Sequence, residues 1–135
     1  MNLNHKFLLI LLFCTLFFNS CNGKKEKIKE QYQGTWVLIQ SSTDGENEGI
    51  NYSLSQGLVV ELHIDTDKEE LRVVTNDGKE LTRGKLTLYD YYYQSKLPKE
   101  QNGIISNLFA DLKIKEDGYL HYSTGYDLDY IFEKK

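Results

Sequence analysis

From Gly34 onward, apolar and polar residues alternate with a period of two, the pattern of strands that bury one face. Leu58, Val60, Leu62 and Ile64 alternate with Val59, Glu61, His63 and Asp65. Leu71 and Val73 alternate with Arg72 and Val74, and Leu86 and Leu88 with Lys85, Thr87 and Tyr89. The rhythm returns in Leu112 and Ile114, in Leu120 and Tyr122, and in Leu128, Tyr130 and Phe132. Asn76-Asp77-Gly78 and Asp117-Gly118 sit between runs as tight turns, because Gly and Asn reach positive φ at little cost. Asp65-Thr66-Asp67 and Ser123-Thr124-Gly125 are weaker versions. Strands joined by such short turns are antiparallel neighbours, so the chain reads as a meander.

Two stretches interrupt the alternation. Residues 43–57 form a long polar loop after the first strand. Residues 90–107 form a second, opening on Tyr91, Tyr92 and Tyr93 and containing Pro98. Within it, Ile104 to Ala110 fit either a short helical turn or the start of the next strand. Loops of this length in a small domain are more often functional or mobile than idle. A meander with one apolar face must bury that face, and no long amphipathic helix is available to cover it. Closure into a barrel does so and removes the edge strands. The expected fold is all-β: a small antiparallel up-and-down barrel of seven or eight strands over residues 34–135.

The N-terminus follows a different pattern. Phe7 to Phe18 is an apolar run broken only by Thr15, behind the positive charge of Lys6. At about 1.5 Å per residue it spans roughly 18 Å, short of a hydrocarbon core of roughly 30 Å. Residues 1–20 therefore read as a cleaved export signal rather than a spanning helix. The following Phe18-Asn19-Ser20-Cys21 resembles a bacterial lipoprotein lipobox, in which cleavage precedes a cysteine that receives lipid. Ser20 supplies the small residue before the cut, while Phe18 and Asn19 depart from the usual leucine and small residue. The resemblance implies a lipid anchor, of palmitate-type acyl chains, on Cys21. Once Cys14 leaves with the signal, Cys21 is the sole cysteine, so no internal disulfide can form and lipidation would consume the exported thiol.

Residues 22–31 hold one aliphatic side chain among ten and read as a solvated spacer. Residues 21–33 are thus expected to be a lipidated cysteine and charged tether. Asn22, directly after the cysteine, shows no obvious inner-membrane retention signal, which favours the outer membrane of the cell envelope. Without residues 1–20 the chain keeps fifteen basic and twenty acidic residues, a net of −5. An acidic chain with no basic stripe argues against nucleic acid as a partner. Four of the six Phe leave with the leader, whereas all ten Tyr remain.

The first strand opens on Tyr32-Gln33-Gly34-Thr35-Trp36-Val37-Leu38. This resembles the Gly-x-Trp motif of the lipocalin and wider calycin families. The resemblance implies that Gly34 permits the turn into the first strand and that Trp36 packs across the closed end of a barrel. Family members are longer by about a third and cover the tryptophan with an arginine near the last strand. Here that strand offers only Lys134 and Lys135, and the central Thr-Asp-Tyr motif is not identifiable.

Catalytic chemistry is sparse. After the leader, His63 and His121 are the only histidines, and neither has the ligand spacing of a zinc site. Asp65-Thr66-Asp67-Lys68-Glu69 mimics the start of a calcium loop, but Glu70 and Asn76 stand where it needs glycine and glutamate. No cysteine nucleophile, Gly-x-Ser-x-Gly or phosphate-binding glycine loop is present. No cofactor is implied, and a non-enzymatic role is expected. Tyr89, Tyr91, Tyr92 and Tyr93 lead into the second interruption and Tyr52 lies in the first. If both loops share an open mouth, Tyr52, Tyr89, Tyr91 and Tyr93 would line a ligand entrance with rings and hydroxyls. Alternation puts Tyr91 and Tyr93 on one face and Tyr92 on the other. Two functions follow: an envelope carrier of a small apolar or amphipathic ligand, or a protein-interaction lipoprotein with a filled core and a tyrosine docking patch. A hydrolase or inhibitor on the same scaffold is the weaker third.

Overall fold

The computed structural model describes residues 10, 23–41, 53–124 and 129–135, apart from the side chains of residues 100, 101, 104, 105 and 129. The chain divides into two compact units, Met1–Gln31 and Tyr32–Lys135. In the first, residues 23–31 are helical, and no described helix is long and apolar enough to cross a membrane. The proposed anchor Cys21 lies outside the described residues.

The second unit is a closed barrel of eight antiparallel strands in chain order. They are β1 (Gly34–Ser41), β2 (Val60–Asp65), β3 (Glu70–Thr75), β4 (Glu80–Tyr89), β5 (Tyr92–Gln101), β6 (Ile104–Ile114), β7 (Leu120–Ser123) and β8 (Asp129–Lys134). Pairing of β1 with β8, from Trp36↔Lys134 to Ser41↔Tyr130, closes the ring. The alternation expected of the sequence fills the lumen. Trp36, Leu62, Leu71, Leu86, Leu112, Leu120 and Phe132 are each at most 1% exposed, and burying such a side chain contributes about 1.5–3 kcal/mol. On the outside stand charged neighbours such as Arg72, Arg83, Lys85 and Lys96, so this wall is not a lipid-facing band.

Closure also needs local devices. The register shifts between Leu38 and Gln40 in β1 and between Val73 and Val74 in β3, and such irregularities bend a strand. The second shift buries both Val73 and Val74, where strict alternation would expose one. Gly84 lies where β4 turns from β3 towards β5. A Cβ there would overlap the Lys96 carbonyl oxygen and the Leu97 side chain, so only glycine permits the approach.

The second interruption expected at 90–107 is instead the longest hairpin of the barrel, β5 paired with β6 from Tyr93↔Leu112 to Gln101↔Ile104. Only a two-residue turn, Asp90-Tyr91, precedes it, and Asn102-Gly103 joins its strands, with positive φ at Asp90, Asn102 and Gly103. Pro98 was misleading because of where it sits. β4 pairs with β5 only as far as Lys96 and β7 pairs with β6 only from Asp111. Pro98 therefore lies in an overhanging ribbon with no described β4 partner, where a missing N–H is tolerated.

Antiparallel order assigns the connections to two ends. One end carries the start of β1, the 66–69, 90–91 and 115–119 turns, and the end of β8. At the other, β1 finishes and β2 begins, and the 76–79 and 102–103 turns stand beside them. Residues 53–55 form a helical turn there. Reciprocal bonds between Val59 and Asn76 tie this segment to the β3–β4 turn: the Val59 N–H donates to Asn76 Oδ1 and the Asn76 N–H to the Val59 carbonyl.

Candidate functional site

The lumen has two tiers. The floor forms around Trp36, whose indole Nε1 donates to the Tyr32 carbonyl at 2.9 Å. Lys134 Nζ lies 5.4 Å from the centre of the Trp36 ring. Gly34, at φ 124°, lets the chain turn into β1, and a Cβ there would come 3.6 Å from Lys134 Cε. Tyr32 and Gln33, read from the sequence as the end of the tether, help to seal this floor. Tyr32 is 2% exposed; its hydroxyl accepts from the Ile114 N–H at 3.1 Å, and its ring meets Tyr93 edge-on at 5.0 Å. Burial raises the Tyr32 pKa, and the Ile114 N–H offsets part of that push. Gln33 Oε1 accepts from both the N–H and the hydroxyl of Thr66, at 2.7 and 2.8 Å.

One inward position further along β5, β7 and β8, the side chains change character. Tyr93, Leu120 and Phe132 of the floor give way to Ser95, Tyr122 and Tyr130, which are 0%, 3% and 1% exposed. The registers Leu112↔Tyr122 and Tyr122↔Tyr130 place the two tyrosines side by side, with ring centres 6.0 Å apart at 62°. Ser95 Oγ donates to the Ala110 carbonyl at 3.4 Å. The Tyr122 hydroxyl is buried and has no hydrogen-bond partner among the described residues. Burial pushes its pKa up to about 12, and the neighbouring Ser95 hydroxyl offsets part of the rise although the two do not align as a well-formed hydrogen bond. A buried hydroxyl left in that state costs about 1–3 kcal/mol and calls for an acceptor or donor from water or a ligand. Val60, Leu97 and Ala110, all buried, supply apolar surface to the barrel interior.

The tyrosines singled out from the sequence do not converge on one entrance. Tyr93 is 2% exposed and belongs to the floor. Tyr89 and Tyr91 are 45% and 63% exposed and flank the β4–β5 turn. That turn lies at the Trp36 end, opposite the end where the 43–57 connection begins, so these rings cannot share a mouth with that loop. Tyr52 lies outside the described residues. The half-buried Tyr92 packs beside the exposed pair instead, its ring 5.9 Å from that of Tyr89 and 5.4 Å from that of Tyr91, with Lys113 Nζ 4.8 Å from its centre. Sequence reasoning placed Tyr122 and Tyr130 on the apolar face of their strands but treated them as core; Ser95 was hidden inside the supposed loop.

His63 and His121 do not meet in the lumen either. His63 stands on the outer wall with Nε2 2.9 Å from Glu61 Oε2, and His121 Nε2 lies 3.3 Å from Asp117 Oδ2. Among the described residues, no group of three or more His, Cys, Asp or Glu is arranged to hold a metal ion. No protein-family model matches the chain, and a comparison with curated proteins finds no match.

Proposed function

We propose that this is a non-enzymatic lipoprotein of the cell envelope, held in the outer membrane by lipid on Cys21, whose lipocalin-like barrel binds a small amphipathic ligand. The observation that carries the reading is the buried, unpartnered Tyr122 hydroxyl above a floor of large apolar rings. A ligand would place one polar atom between Tyr122 and Ser95 and its apolar body against Val60, Leu97 and Ala110. Gly34 with positive φ, the buried Trp36 and Lys134 over its ring support the lipocalin-like reading, the lysine standing where the family has arginine. The lipid anchor rests on the lipobox-like sequence ending at Cys21.

The test is native mass spectrometry of the protein taken from its source host without denaturation. A reproducible added mass that Tyr122→Phe abolishes and Tyr91→Ala retains supports the lumen as the site. A clean apo mass, with no shift across a panel of lipids and small apolar molecules, sinks the carrier. Labelling with radioactive palmitate that disappears in Cys21→Ser tests the anchor separately. A second reading rests on the exposed Tyr89 and Tyr91 and the half-buried Tyr92 between them: an envelope protein docks on this aromatic patch. It predicts a captured partner that Tyr91→Ala releases and Tyr122→Phe does not.

A further inference from the structure

We infer that the outer wall of the barrel carries a second binding site, for the phosphate group of a small polar molecule. The pairings Thr35↔His63, His63↔Arg72 and Arg72↔Arg83 set four side chains in one row across β1 to β4. The residues that flank this row along the strands, Trp36, Leu62 and Leu71, point into the lumen, so alternation turns the row outward. The four side chains line a concavity of about 440 Å³, together with Lys68 and the carboxylates of Asp65 and Glu70. That volume suits a small molecule rather than a bare ion.

The charges in and around the concavity are unevenly satisfied. Arg83 is held on two sides, Nε and Nη2 by Glu80 at 2.7 and 3.2 Å and Nη1 by Glu70 at 3.4 Å. Glu61 is bound by His63 at 2.9 Å and by Lys135 at 3.2 Å. Asp65 Oδ1 accepts from the backbone N–H groups of Asp67 and Lys68, at 3.1 and 3.0 Å. The carboxylates are therefore engaged. Arg72, directly opposite Arg83, is different: among the described residues its guanidinium makes no hydrogen bond, and its field helps hold the Glu80 carboxyl below its usual range. Arg83 is already paired, so the charge left without a hydrogen-bonded counter-ion is that of Arg72, and an anion on its guanidinium supplies one. The free Arg72 fork, the Lys68 ammonium and the Thr35 hydroxyl provide a planar bidentate donor, a point charge and a neutral donor on one wall. That combination matches a phosphate dianion. With a net charge of −5 on the exported chain, this is a local feature and not diffuse attraction.

The test is calorimetric titration of the full-length protein in detergent with glycerol phosphate, with acetate and chloride at matched ionic strength as controls. A parallel arm measures flotation with vesicles that contain phosphatidate. Saturable binding of glycerol phosphate that Arg72→Gln weakens about tenfold or more, and Arg72→Lys weakens less, supports the site with a soluble ligand. Binding confined to the vesicles and lost in Arg72→Gln supports it with a lipid head group as the source. Lys96→Gln, on the outer wall away from the concavity, should leave both arms unchanged. Equal response to acetate, or Arg72→Gln indistinguishable from wild type in both arms, overturns the inference.

Discussion

Removing the Tyr122 hydroxyl should cost the fold almost nothing at neutral pH, and that is the sharpest test of the two-tier lumen. The hydroxyl is buried without a hydrogen-bond partner among the described residues. Tyr122→Phe keeps the ring against Tyr130 and deletes only a desolvated polar atom, so ligand-free protein should lose nothing and gain up to about 1–3 kcal/mol. At alkaline pH the difference grows. The folded-state pKa is raised from 10.0 to about 12, so below pH 10 both folded and unfolded forms carry the proton. Above it the unfolded chain releases the proton first, and stability falls as pH rises through about 12. Two pK units correspond to about 3 kcal/mol, a loss that Tyr122→Phe should remove. Urea denaturation followed by fluorescence of Trp36, the only tryptophan, reads both regimes on refolded, ligand-free protein. A loss above about 1.5 kcal/mol at pH 7 would show that the fold already satisfies the hydroxyl. Parallel pH curves for the two proteins would refute the burial argument.

The floor should respond in the opposite way. Tyr32→Phe strands the Ile114 N–H and should cost about 1–3 kcal/mol, lowering Tm by roughly 4–8 °C per kcal/mol in a calorimetric scan; an unchanged Tm would dismiss the Tyr32 bond. Gly84→Ala drives a Cβ into the Lys96 carbonyl oxygen and Leu97 and should cost about 1–3 kcal/mol or more, seen as a lower urea midpoint, whereas an open-turn Gly118 with no neighbour within 4 Å is the comparison site for local backbone strain alone. Lys134→Ala takes the ammonium off the Trp36 ring and should cost about 0.5–1 kcal/mol, with a change in the native Trp36 emission that Lys115→Ala does not produce.

Much of the architecture was legible in one dimension. Period-two alternation marked β2, β3, β7 and β8, and turn residues at 76–78 and 117–118 joined strands as expected. A one-faced meander without a covering helix has to close, because both the apolar face and the edges must be removed from water. The β5–β6 hairpin was missed because Pro98 and polar Gln94, Ser95 and Lys96 break the alternation there. The ladder explains them afterwards: Pro98 lies in the overhang, and Ser95 faces the lumen as a hydroxyl.

The sites were far less legible than the fold. Which end of a barrel a turn occupies depends on counting strands, so one missed hairpin misplaced Tyr89 and Tyr91 at the mouth. Whether an inward tyrosine is inert core or carries an unsatisfied hydroxyl depends on partners from three strands at once, as for Tyr122 beside Tyr130 and Ser95. The row Thr35, His63, Arg72 and Arg83 is spread over nearly fifty positions of sequence and exists only through register. Alternation by itself determined that these strands form and which face of each is buried, since those depend on neighbours along the chain. The tertiary structure alone decided which side chains meet, because convergence is a property of pairing between strands and not of any one of them.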